Sequence, residues 1–133
     1  MANQLYPKIK EALLQQSANS NLSSGTVKVA LIDTGTYTYN AAHEFLSSLT
    51  GVVGTAQTLG SKTFLNGLFD AADNTVPGVT GASVEALVLY IDTGVAGTSR
   101  LVAYIDTGVT GLPVTPNGGD INIAWNASGI FQL

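Results

Sequence analysis

Three copies of Ile-Asp-Thr-Gly, at Ile32–Gly35, Ile91–Gly94 and Ile105–Gly108, each place an aspartate at the end of an apolar, β-branched run. Asp-Thr-Gly is the signature of aspartic-protease chemistry. There, two carboxylates about 3 Å apart share one proton, because two adjacent negative charges do not persist. A single active copy in a chain of 133 residues would require a dimer in which each protomer contributes one aspartate. Asp33, in Val-Ala-Leu-Ile-Asp-Thr-Gly-Thr-Tyr, is the candidate for that role. The competing reading is a turn. Asp at a turn's first position accepts from backbone N–H groups two residues on, Thr does so more weakly, and Gly supplies positive φ.

The turn reading covers all three copies, whereas a dyad uses two. Retroviral-type enzymes brace the catalytic loop with an apolar-apolar-Gly strand, but here Ile130-Phe131 follows a Gly. Asp92 and Asp106 end two neighbouring antiparallel strands, so they are expected at opposite ends of that hairpin. The aspartates are assigned to turns, and the chain is expected not to be an enzyme.

Other groups give no chemistry. The single histidine, His43, precedes Glu44 without a Ser or Cys nucleophile context, and there is no cysteine for a disulfide or thiolate metal site. Asp70, Asp73 and Asn74 lack the spacing of an oxygen-ligand calcium loop. Glycines are scattered and form no phosphate-binding loop. No catalytic, cofactor or metal residue is assigned, and no cofactor is expected.

Charged residues make up 11% of the chain, against roughly 25% in ordinary soluble domains. A surface of Ser, Thr, Asn, Gln and Gly suits packing against neighbours better than charge-steered binding. Lys8, Lys10, Lys28, Lys62 and Arg100 are dispersed, so no nucleic-acid footprint exists. No apolar run nears the ~20 residues of a membrane span, and Met-Ala-Asn-Gln lacks a signal-peptide pattern. Synthesis in the cytoplasm, with no membrane and no nucleic acid as partner, is the expectation.

The elements follow from periodicity. Leu5–Gln16 is the one strong helix, with Pro7 in the first turn and Leu5, Ile9, Ala12 and Leu13 on one face. Ser17–Ser24 is a polar linker. Thr26–Ile32 reads as a strand, and Asn40–Leu49 could form a short internal helix with Asn40 as N-cap. Gln57–Leu65 and Leu68–Ala71 are weak strands about an Asn66-Gly67 hairpin turn.

Val84–Ile91 and Arg100–Ile105 are apolar on both faces, and the eight-residue connection Asp92–Ser99 is too short for a crossover helix. They should form an antiparallel hairpin covered on both sides. In Asp120–Asn126, Ile121, Ile123 and Trp125 face inward. The expectation is one domain over 1–133. It comprises an N-terminal helical arm and linker, 1–24, and a mainly β, antiparallel β-sandwich of jelly-roll type, 25–133. The arm, through Leu5, Tyr6, Ile9 and Leu13, is the expected interface to a partner.

Several segments resemble a family of small tailed-bacteriophage virion proteins. Leu5-Tyr6-Pro7-Lys8-Ile9-Lys10-Glu11-Ala12-Leu13-Leu14 is similar to that family's "Tyr-x-x-x-Lys-Glu-Ala-Leu-Leu" helix, and Thr26–Ile32 to the strand that follows. Thr36-Tyr37-Thr38-Tyr39-Asn40 with His43-Glu44-Phe45-Leu46, and Gly111–Ile121, are similar as well. The resemblance implies a capsid cement or decoration protein on the outer head surface. Its expected partners are the major capsid protein and itself, as a trimer. A tail or neck component is the alternative within the class, and a carbohydrate-binding β-sandwich the alternative outside it. Tyr37, Tyr39 and Trp125 are the only candidates for the aromatic platform such a module needs.

Overall fold

The computed structural model describes residues 3–133. Its main feature is an antiparallel five-stranded sheet built from β1 (Gln4–Leu5), β2 (Thr26–Ile32), β3 (Val52–Thr58), β6 (Ala86–Asp92) and β7 (Arg100–Ile105). The order across it is β1-β7-β6-β2-β3. Two short ribbons complete the β structure: β4 (Leu68–Phe69) with β9 (Phe131–Gln132), and β5 (Asn74–Val76) with β8 (Ile121–Ile123). The fold is thus mainly β and sandwich-like. Its second layer is made of ribbons, with β5 lying against β3, and α1 (Pro7–Gln15) packs on β7.

The two-sided apolar pattern has the expected consequence. Every residue from Ala86 to Ile91 and from Leu101 to Ile105 is buried. Successive strand residues point to opposite faces, so both faces of β6 and β7 are covered. Register runs Leu87 opposite Ile105 and Ile91 opposite Arg100, which confirms the antiparallel hairpin. β2 lies along the other side of β6, from Thr26 opposite Asp92 to Ile32 opposite Ala86.

Three expectations shift. The helix starts at Pro7 rather than Leu5, because Gln4 and Leu5 pair with Tyr104 and Ala103 and the Tyr6 N–H donates to the Val102 carbonyl at 3.0 Å. The internal helix over Asn40–Leu49 is reduced to a single 3-10 turn, Leu46–Ser48. The edge of β7 takes its backbone groups: the Leu101 N–H donates to the Glu44 carbonyl at 3.0 Å, and the Leu46 N–H to the Ser99 carbonyl at 2.7 Å.

The strand expected from Gln57 lies earlier, at Val52–Thr58. It passes Gly54 (φ 71°) where pairing with β2 jumps from Val29–Gln57 to Leu31–Val53. The glycine takes the positive φ that this bulge requires. The Asn66-Gly67 turn forms as expected, with φ of 57° and 79°, and Thr63 and Asp70 bridge across it.

Candidate functional site

The three Asp-Thr-Gly segments are turns with different partners. After β2, Asp33 Oδ1 accepts from the Gly35 N–H at 3.0 Å and Oδ2 from the Thr36 hydroxyl at 3.0 Å. Thr34 donates through both its N–H (2.9 Å) and its hydroxyl (3.0 Å) to Glu85. After β6, Asp92 Oδ1 accepts from the Gly94 N–H at 3.0 Å, and Lys28 pairs with Oδ2 at 3.2 Å. Thr93 joins the buried Ser99 hydroxyl through its N–H at 3.0 Å. After β7, Asn3 Oδ1 accepts from the N–H groups of Asp106 (2.8 Å) and Thr107 (3.0 Å). Gly94 (φ 85°) and Gly108 (φ 74°) occupy the left-handed region that the turn reading assigns to glycine, whereas Gly35 of the first copy does not.

Register separates the aspartates. Asp33 follows Ile32, opposite Ala86, while Asp92 lies opposite Thr26. They therefore stand at the two ends of a seven-residue strand, roughly 20 Å apart by strand rise. Asp106 shares the Asp33 end but lies two strands away, roughly 10 Å by strand spacing. Within one chain, no two of these aspartates reach the contact that a shared proton needs. Hydrogen bonding also holds two carboxyls of these turns below their ordinary values. Glu85 is lowered first by the Ser83 hydroxyl and then by Thr34, and Asp92 first by the Gly94 N–H and then by Lys28.

Of the four residues expected to form an interface, two are buried inside the chain itself. Tyr6 and Ile9 are 0% and 1% exposed within the chain's own core, and Ala12 joins them there. Leu5 and Leu13 are half-buried against that core. The N-terminal segment is an integral wall of the domain rather than a free arm, because its apolar face packs on β7. Its outward face carries Leu14, 87% exposed.

Tyr6 also begins a polar chain. Its hydroxyl is hydrogen-bonded to that of Tyr37 at 2.8 Å, and the Tyr37 hydroxyl to His43 Nδ1 at 2.8 Å. The Tyr6 ring stacks obliquely on Tyr39 (5.0 Å), and Tyr39 on Tyr104 (5.5 Å). Burial raises all four tyrosine pKa values above the ordinary range. Tyr37 is buried, and Trp125 is 8% exposed with its indole N–H on the Ala72 carbonyl. Neither offers an open platform.

Sequence reasoning missed two cationic clips. Arg100 pairs with Glu44 at 3.0 Å, donates to the Ala18 carbonyl at 2.8 Å and stacks over Phe45 at 5.1 Å. Lys62 Nζ donates to three carbonyls, those of Leu22 (2.7 Å), Ser23 (3.2 Å) and Gly25 (2.7 Å). Its neighbour Phe64 is 40% exposed. These pairings join segments far apart in the chain, which no local pattern announces.

Among the described residues, no cluster of His, Cys, Asp or Glu is arranged to hold a metal ion, and no helix is long and apolar enough to cross a membrane. No known protein family matches the sequence, and no curated protein matches it.

Proposed function

We propose that the chain is a structural virion protein of a tailed bacteriophage. In this reading it is a cement or decoration protein that binds the major capsid protein on the outer head surface as a homotrimer, without catalysis. One observation carries the reading. Two of the segments that resemble the phage family, Leu5–Leu14 and the stretch from Thr36 to Leu46, are packed together through Tyr6–Tyr37–His43. This supports a resemblance of fold-forming residues rather than a chance likeness of scattered short strings. Turn duty for the Asp-Thr-Gly segments supports a role without chemistry. The low charge supports lattice packing that salt disturbs little, and many copies of a modest contact hold strongly through multivalency.

Because Tyr6 and Ile9 are internal, we assign the capsid contact to the outward face of α1, where Leu14 is most exposed. The test is cosedimentation with undecorated heads, alongside the solution mass by light scattering. Saturable binding, lost in Leu14→Asp at unchanged thermal stability, is the expected result. Absence of head binding by the wild-type protein overturns the reading. A strict dimer with peptidase activity that Asp33→Asn abolishes would replace it with the protease.

A further inference from the structure

An open cleft of about 870 Å³ lies between the linker that follows α1 and the turn that follows β6, with Phe64 on its wall. Its size is that of a small-molecule site. Phe64 is backed by Phe69, ring centroids 5.5 Å apart, and is 40% exposed. Around it stand neutral hydrogen-bonding side chains, Gln16, Asn19, Asn21 and Thr93, and the carboxylate of Asp92. The Asn21 carboxamide oxygen is engaged with the Ser23 and Ser24 N–H groups, which fixes the side chain.

Two further observations narrow the ligand. The ammonium groups at the margin are already taken, Lys28 by Asp92 at 3.2 Å and Lys62 by the three linker carbonyls. An anion would find no counter-charge there. In addition, the described non-glycine residues with positive φ are Gln16, Asn19, Ser61 and Asn66. All four lie in the two segments that carry the cleft wall or flank Phe64. Unfavourable backbone held in place by its surroundings concentrates where a site is preorganised. Helix capping at Gln16, the hairpin at Asn66 and the turn at residues 18–19 explain three of them; Ser61 has no such explanation.

We infer that this cleft binds a neutral saccharide, one sugar ring lying on Phe64 with its hydroxyls bonded to Asn19, Asn21 and Asp92. A sugar ring offers an apolar C–H face to an aromatic ring and a rim of hydroxyls to amides and a carboxylate, which is the chemistry this wall presents. The inference does not depend on capsid binding and is tested without a capsid.

The experiment is an amide-detected NMR titration of the full chain with maltopentaose, cellopentaose and tri-N-acetylchitotriose, with sodium phosphate as the anionic counter-probe. Saturable shifts at Gln16, Asn19, Asn21 and Thr93 with at least one saccharide are expected. Phe64→Ala should weaken that binding about tenfold. Asn19→Gly keeps the left-handed backbone and removes only the carboxamide, so it should weaken binding by about threefold in a folded protein. The inference is overturned if no saccharide gives saturable shifts, if the shifts fall elsewhere, if phosphate alone binds, or if both variants bind as the parent does.

Discussion

The β2–β6–β7 sheet and the loops around it are held by different means. In the sheet, Val27, Val29, Leu31, Leu87, Leu89 and Leu101 are all essentially unexposed, and stability is spread over a large apolar area. In the loops, single side chains close long excursions. Lys62 gathers the linker, Arg100 joins the linker to Glu44 and Phe45 between β2 and β3, and Tyr37 joins Tyr6, at the start of α1, to His43. The sheet tolerates conservative exchange because many contacts share the load, whereas a clip has no substitute. Removing a clip should therefore loosen a region, and removing a core side chain should weaken the whole.

The strongest test of that contrast is Leu89→Ala, which should lower global stability by about 3–5 kcal/mol in urea unfolding. A loss below that of any clip variant would reverse the contrast. Tyr37→Phe leaves the Tyr6 hydroxyl and His43 Nδ1 without their shared partner, and should cost about 2–3 kcal/mol. Lys62→Met exposes three carbonyls at a partly solvated site and should cost about 1–2 kcal/mol. Its hydrogen-exchange protection should fall first over Ser17–Gly25; uniform loss across the sheet would show that the clip is no local device.

Acid should have the smallest effect. Glu85 and Asp92 lie below their ordinary values of 4.5 and 3.8 in the fold. Their contribution is complete above about pH 5 and is lost as pH falls through the lowered values. The urea midpoint should decline in that window, and Asp92→Asn should flatten part of the decline.

The sheet was legible for a physical reason. β2 and the β6–β7 hairpin are runs apolar on both faces, and local pattern suffices to place them. The turn duty of Asp33 and Asp92 was legible too, since an Asx turn is completed within three residues. What stayed hidden depends on distant partners. Gly54 looks like a loop residue until β2 supplies the strand that its bulge pairs with. Glu44 and Leu46 look helical until β7 claims their backbone. The same holds for the cleft: Phe64 gains meaning only beside a linker some forty residues earlier, and Tyr37, a platform candidate, turned inward, where alternation had already placed Trp125.

The tyrosine cluster gives the molecule a built-in alkaline indicator. Tyr6, Tyr37, Tyr39, Tyr90 and Tyr104 all have pKa values raised by burial, and these are the chain's full complement of 5 tyrosines. Their neutral forms stabilise the fold up to the ordinary phenol value near 10, and that stabilisation is lost as pH rises beyond it, because the unfolded chain ionises first. Ultraviolet absorbance of phenolate should thus stay silent where exposed tyrosines titrate, then rise in one cooperative step with the loss of β-sheet circular dichroism.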